Sequence, residues 1–291
     1  MQSKFLNAYR FFSEAHLIIA FAAFCQVRMT QFFFSITDTH HIAVFFALST
    51  FIVYNFYSVY TAFFHPNNFE KHRIIFWQRY RQYYLLLLLI VMGVTLLKFY
   101  FLLPVILNFS LQHFIAFFIL GMLSIVYGVP CYKNTSLRDL PFIKIFIISL
   151  VWASMVFSYQ LSESYQLSAV SHQQKVYFLF IEKFCFVFTL ALLCDINDAS
   201  WDKQNHIKTI PNYFGLKKTK YLIYALLFIV AGLDFYLFSS VFLFASLVTV
   251  GITFFITKNT DLEMKSVFFK DLVDALLVVS WLVSWLVLKV N

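Results

Sequence analysis

Nine apolar stretches, each close to the length that crosses a lipid bilayer, govern what this chain can fold into. They run near residues 13–35, 41–64, 82–103, 110–128, 141–160, 173–195, 218–236, 238–257 and 268–289. A helix needs roughly 20 apolar residues to traverse the hydrocarbon core. Backbone N–H and C=O groups in lipid have no water to bond, so each stretch must satisfy them internally, as a helix does. A membrane barrel would instead show segments of about ten residues with alternating polarity. The expectation is an all-α, polytopic membrane protein with nine transmembrane helices in a single bundle, one transmembrane domain over residues 1–291. The boundary between the seventh and eighth stretches is marked only by Gly232 and Asp234.

Composition supports this class: 61% of the 291 residues are hydrophobic and 12% charged, where a soluble domain carries about 25% charged residues. The apolar run behind Lys4 and Arg10 imitates a signal peptide, but it is long enough to span and further stretches follow it. Cys25, Cys131, Cys185 and Cys194 form neither a CxxC nor a Cys/His pair at zinc-ligand spacing. Neither a thiolate metal site nor a disulfide framework is expected.

The basic residues gather on alternate loops. Lys4 and Arg10 precede the first stretch, and Lys71, Arg73, Arg79 and Arg81 lie between the second and third. Lys133, Arg138 and Lys144 follow the fourth; Lys203, Lys208, Lys217, Lys218 and Lys220 follow the sixth; Lys258, Lys265 and Lys270 follow the eighth. The bias places the N-terminus and the 2–3, 4–5, 6–7 and 8–9 loops in the cytoplasm and the C-terminus outside. The expected location is a bacterial inner (plasma) membrane. Topology accounts for the net charge of +8, so the bilayer is the expected partner and nucleic acid is not. Nothing in the sequence speaks to protein partners.

The longest loops follow the second and sixth stretches, and the second of these opens with the densest chemistry in the chain. Asp195, Asp198 and Asp202 fall at i, i+3 and i+7, one stripe of a helix continuing from the sixth stretch. Like charges so placed repel unless a cation sits among them. Hard cations such as Mg²⁺ take carboxylate oxygens and complete their shells with waters and substrate phosphates. Lys203, Lys208, Lys217 and Lys218 follow at once. Carboxylates beside lysines suit a metal–diphosphate site; they also suit a solvated loop at a membrane surface.

The run Asp198-xxx-Asp202-xxx-His206-Ile207-Lys208-Thr209-Ile210-Pro211, closing at Gly215, resembles the second aspartate-rich motif of the UbiA superfamily of intramembrane prenyltransferases. That motif reads approximately D-x-x-x-D, then Gly-Ile-Lys-Thr/Ser-Leu-Pro and a nearby Gly, and Asp195 matches an extra acid often found there. Tyr127-Gly128-Val129-Pro130 through Leu137-Arg138 and Pro141 resembles the family's basic fourth-to-fifth loop. The resemblance implies nine transmembrane helices, a cytoplasmic N-terminus and an active site under the 2–3 and 6–7 loops. It implies a prenyl diphosphate substrate, Mg²⁺ as cofactor, and a lipid-soluble acceptor of the prenyl group such as an aromatic ring. It implies Asp195, Asp198 and Asp202 as metal ligands, with Asp198, Asp202 and Lys208 catalytic. Asn55, Lys71, Arg73, Tyr127, Arg138 and Lys208 become substrate contacts.

One departure cuts across the resemblance. The family's first motif, approximately N-D-x-x-D-x-x-x-D, lies at the end of the second helix. Here Asn55 is present, but Phe56, Val59 and Phe63 stand where the acids belong. None of them can ligate a metal or reach one through water. Three readings follow: a transferase with a single metal set, an enzyme for a different lipid substrate, or a non-catalytic relative that binds an isoprenoid or anionic lipid. A transporter finds no support, since there is no internal repeat and no pair of Gly/Pro-broken helices.

Other charged positions read more simply. Glu182 and Lys183 lie near the outer end of the sixth stretch, where they can pair or snorkel. Arg28 lies within the first stretch, facing an interior cavity or a carboxylate. Asp271 and Asp274 open the ninth helix, where acids favour the N-terminal dipole. Trp281 and Trp285 suit an interfacial belt.

Overall fold

A computed structural model describes residues 11–36, 40–64, 71–107, 111–127, 137, 140, 142–161, 173–204, 207–238, 240–261 and 269–290. Among these there are helices and no strands. In chain order they are α1 (Leu17–Phe33), α2 (His40–Phe64), α3 (Lys71–Leu107), α4 (Leu111–Val126) and α5 (Ile143–Ser154). α5 runs into a 3₁₀ segment (Met155–Leu161). Then come α6 (Gln173–Gln204), a short α7 (Ile210–Phe214), α8 (Leu216–Leu237), α9 (Ser240–Asn259) and α10 (Phe269–Val290). Five segments, within α2, α3, α6, α8 and α9, are long and apolar enough to cross a membrane; Leu17–Phe33, Phe114–Val126 and Ile143–Ser158 are shorter apolar helices.

One boundary departs from the sequence expectation, while the continuation of α6 and the α8–α9 break follow it. α3 begins at Lys71, so the basic segment expected as a loop is the first part of a helix. Lys, Arg and Gln are good helix formers, and no Gly or Pro interrupts 71–81. α6 runs on to Gln204, well past its apolar part. The α8–α9 break falls at Phe238, where the backbone turns extended (φ −106, ψ 148), leaving Gly232 and Asp234 inside α8. Asp234 does not end the helix because its carboxylate accepts a hydrogen bond from Ser246 of α9.

The helices form a ring. α1 packs on α2 and α2 on α3; α4 touches α5; α5 packs on α6, α6 on α8, α8 on α9, α9 on α10, and α10 returns to α1. α6 and α10 also meet. The main core, including Val27, Ile145, Leu192, Leu193, Ile196, Ile223, Val230 and Leu276, belongs to this thick side of the ring. In the most apolar window of α6, 67% of residues are buried, against 17% in α3. α4 has no buried residue among those described. Leu86, Leu89 and Leu96 of α3 and Phe118 and Ile119 of α4 are exposed. Patches of that size would be a liability in water; lipid is their natural solvent.

Several polar side chains inside the bundle are paired, which offsets the cost of burying them. The Gln26 amide donates to the Leu277 carbonyl at 2.6 Å and joins α1 to α10. Arg28 donates to Gln31 at 2.8 Å and lies over the Phe32 ring, so its partners are an amide and an aromatic face. Glu182 and Lys183 form an ion pair of 3.0 Å and both are buried. Trp281 and Trp285 stack, and Trp281 meets Phe21 and Phe24 edge-on, which seats it against α1.

Candidate functional site

The segment from Asp195 to Asp202 contains no Gly or Pro, and α6 carries it as continuous helix. The three acids therefore share one stripe, and each has a different environment. Asp195 is 1% exposed and accepts a hydrogen bond from the Lys144 ammonium of α5 at 2.6 Å. Asp198 is partly exposed and pairs with Lys270 of α10 at 2.9 Å. Asp202 is buried, in the last turn before the chain leaves the helix. A buried carboxylate without a counter-ion is costly, so the Lys144 bond explains how Asp195 is tolerated in the interior.

The chain then folds back. The Ile207 N–H donates to the Asp202 carbonyl at 2.8 Å, and residues 207–209 that follow are non-helical. Thr209 precedes α7 with extended backbone (φ −107, ψ 163), and Ile210 and Pro211 are buried. Asn212 donates to the Ala199 carbonyl at 3.0 Å, tying α7 to α6. Gly215 has φ 84 and ψ 160, a region essentially reserved for glycine, and its carbonyl takes both the N–H and the hydroxyl of Thr219 to start α8. Phe142, just before α5, meets Tyr213 and Phe214 of α7. The Ile-Lys-Thr-Ile-Pro…Gly pattern is thus a local folding instruction: it packs a short helix beside the acids and leaves Lys208 exposed.

The corresponding end of α2 is built differently. Asn55 is fully buried, and its amide donates to the Ala15 carbonyl at 3.1 Å and the Phe51 carbonyl at 2.7 Å. These bonds stitch α2 to the residues preceding α1, so the side chain expected to contact substrate serves helix packing instead. Ser58 is joined to His16 at 2.9 Å. Val59 packs against the cluster of Ala15, Ala20, Phe51, Tyr84 and Leu88. Phe56 and Phe63 are exposed, and the Arg81 guanidinium lies 4.5 Å above the Phe63 ring.

Between the two ends lies a group that sequence reasoning did not assemble. Tyr54 of α2 has Trp152, Asp274, Tyr127 and Cys194 as electrostatic neighbours. Cys194 in turn neighbours Asp274, Asp198, Lys270 and Lys144. Tyr127, expected as a substrate contact, lies just past the end of α4 and is among the electrostatic neighbours of Tyr54. Lys71 and Arg73 lie on the first turn of α3; their side chains, and Arg138 as a whole, fall outside the described residues. Lys144, Lys270, Asp274 and Tyr54 were not singled out from sequence as site residues. The lysines had been assigned to topology, which asks for the same residue types on the same loops.

These features define an integral membrane protein: a ring of apolar helices with carboxylates and ammonium groups converging at one end of its central helix. No protein-family model and no curated protein matches the chain. Solved structures do. A UbiA homolog from Archaeoglobus fulgidus bound to GPP and Mg²⁺ superposes with a TM-score of 0.59 at 13% identity, covering 96% of this chain and 99% of that one. A structure of a UbiA homolog from the same organism bound to DMAPP and Mg²⁺ gives 0.57 at 14% identity, with the same coverage. The chain has the UbiA fold.

The magnesium held by those relatives can be compared with the donors present here. A two-sided clamp needs acids on α2, and that end offers Phe56, Val59 and Phe63. On α6, Asp195 and Asp198 are each engaged by a lysine. Among the described residues, no three His, Cys, Asp or Glu side chains converge on a point where a metal could sit. The donor set does not fit a two-sided magnesium clamp, and a single ion at Asp198 would have to displace Lys270.

Proposed function

We propose that this protein binds a prenyl diphosphate with the headgroup at the end of α6, and transfers the prenyl group to a lipid-soluble acceptor, an aromatic ring by preference. One observation carries the reading. In a chain with the UbiA fold, the reading is supported by Asp198 and Asp202 on the last turns of α6, Lys208 on the link that follows them, and Lys144 and Lys270 paired with Asp195 and Asp198. The relatives with this fold were solved with GPP and DMAPP, and the apolar ring of helices offers a prenyl tail a lipid-like surface. On the charge-bias argument this end faces the cytoplasm. Preorganised positive groups aimed at a departing diphosphate are the kind of electrostatic stabilisation that lowers such barriers.

A second reading is favoured by the end of α2. With Phe56 and Phe63 exposed and Asn55 committed to packing, the protein retains an isoprenoid or anionic-lipid site without transfer. Incubating purified protein with labelled prenyl diphosphates of several chain lengths separates the two. Release of diphosphate that Asp198→Ala and Asp202→Ala abolish supports transfer. Tight binding with no release supports the second reading, and neither binding nor release at any chain length overturns both.

A further inference from the structure

We propose that the interior of the bundle between α6, α8 and α9 is a proton-binding site, in which Glu182 and Asp234 share one exchangeable proton and Lys183 balances the charge that remains. The site lies roughly 20 Å along α6 from Asp195, at a rise of about 1.5 Å per residue. It stands apart from the headgroup reading and does not depend on prenyl transfer.

Three helices bring polar groups to one level. Glu182 of α6 pairs with Lys183 at 3.0 Å. The Ser246 hydroxyl of α9 donates to Asp234 Oδ2 of α8. Asp234 in turn has Glu182 and Lys183 as electrostatic neighbours across the α6–α8 contact. All four side chains are buried, and Cys185, one turn along α6, is the further titratable neighbour of Glu182. Apolar layers close the level on both sides. Leu179, Leu237 and Leu243 stand at i±3 from Glu182, Asp234 and Ser246, on the side away from Asp195, and join one apolar cluster with Phe238 and Phe242. Phe186, Val230 and Val250 stand at i±4 on the other side and belong to the main core. Residues three or four apart share a helix face, so the polar level is sealed above and below.

The charge count then decides the chemistry. Two carboxylates and one ammonium leave one negative charge uncompensated in an apolar interior. A buried charge in that position takes up a proton instead, and neighbouring carboxylates that cannot both ionise share one. The oxygens show where it goes. Asp234 Oδ2 is taken by Ser246, whereas Asp234 Oδ1 is buried with no hydrogen-bond partner among the described residues. Glu182 Oε2 lies 3.0 Å from Lys183, yet it too accepts no hydrogen bond among them. A proton on Oδ1 gives Asp234 a donor for Glu182 and leaves Oδ2 free to accept from Ser246. It belongs to the pair rather than to either residue. Ionisable groups enclosed in a membrane bundle are where proton sites are built.

The test is infrared spectroscopy of the full-length protein in lipid nanodiscs at neutral pH, comparing the wild type with Glu182→Gln and Asp234→Asn. The expected result is a protonated-carboxyl C=O band that shifts in D₂O and is lost in either variant, because the acid left behind pairs with Lys183 and needs no proton. Lys183→Met is expected to add a second such band, since two acids without a base take a proton each. Folding of each variant is checked by size-exclusion profile and thermal unfolding; the two near-isosteric acid-to-amide variants keep the test decisive if Lys183→Met fails to fold. Absence of an exchangeable protonated-carboxyl band in the wild type overturns the proposal without any variant. A band that survives both amide variants overturns it as well, and one lost only in Asp234→Asn overturns the sharing. Loss of the wild-type band when sodium replaces choline in the buffer shows an alkali cation site and overturns the proton site.

Discussion

The ends of α2 and α6 occupy related places in the ring, yet they solve the problem of charge near a membrane in opposite ways. α6 keeps its acids and neutralises two of them with lysines from α5 and α10. α2 has no acids, buries Asn55 against α1, and presents Phe56 and Phe63 outward with Arg81 over the latter ring. The difference teaches that an acidic motif can survive as scaffolding for cations once its partner motif is gone. In α6 the carboxylates position ammonium groups; in α2 an aromatic ring positions a guanidinium.

The sharpest way to break this comparison is to remove a supporting acid. Asp195→Asn leaves the Lys144 ammonium in a largely buried place without its counter-ion. Breaking a buried pair from one side costs about 3 kcal/mol, readable as a lower unfolding midpoint in nanodiscs. The same change at Asp198, whose partner Lys270 is 46% exposed, should cost less than about 1 kcal/mol. Equal effects at the two positions would remove the distinction between interior and rim support.

Next in size is Gly215→Ala. Nothing lies within 4 Å of the added Cβ, so the cost is purely conformational, about 2 kcal/mol for a non-glycine residue in that region. A null effect on thermal unfolding would mean that the fold-back is not held by this residue. Installing acids on α2 comes third. Phe56→Asp with Phe63→Asp should weaken headgroup binding in metal-free buffer by roughly tenfold, equivalent to about 1.4 kcal/mol, because it adds like charge for the phosphate to meet. An unchanged affinity would show that the end of α2 takes no part. The smallest effect belongs to Asn55→Ala, which removes the bonds to Ala15 and Phe51. Only the Ala15 bond joins two segments, since Phe51 lies on α2 itself; a hydrogen bond between membrane segments contributes about 0.6 kcal/mol, so a stability loss below about 1 kcal/mol is expected, and an affinity loss well beyond it would return Asn55 to substrate contact.

Much of the architecture was legible from local pattern alone. Each of the nine apolar stretches overlaps a helix, five of them long and apolar enough to cross a membrane, and the continuation of α6 through Asp202 meets no Gly or Pro, although Asp, Asn and Ser are weak helix formers. The start of α3 was not legible from hydropathy, because Lys71 to Arg81 is polar and hydropathy reports solvent preference, whereas helix formation there depends on propensity. The α8–α9 break falls where the stretches 218–236 and 238–257 meet, but Gly232 and Asp234, which marked it, lie inside α8. A lone Gly is tolerated within a helix, and Asp234 is already engaged by a neighbour 12 residues away in sequence.

The candidate site was half legible. Asp195, Asp198, Asp202 and Lys208 announced themselves by spacing, and the Ile-Lys-Thr-Ile-Pro pattern proved to be the turn that packs α7 beside them. Lys144 and Lys270 were visible only as topogenic charge, since their role depends on which helices flank α6 in the ring. Asp274 was assigned to the start of its own helix for the same reason. Nothing in a linear pattern says that it neighbours Tyr54 and Cys194.

The Glu182–Lys183 pair has a consequence for biogenesis. α6 carries an acid and a base at consecutive positions, bonded to each other at 3.0 Å. A lone charge within a nascent span is expensive to hand to lipid; a span that brings its own counter-ion enters as a neutral unit. The most deeply buried helix of the ring can therefore be released into the bilayer before α8 and α9 have been synthesised, and wait there for the neighbours that later enclose it.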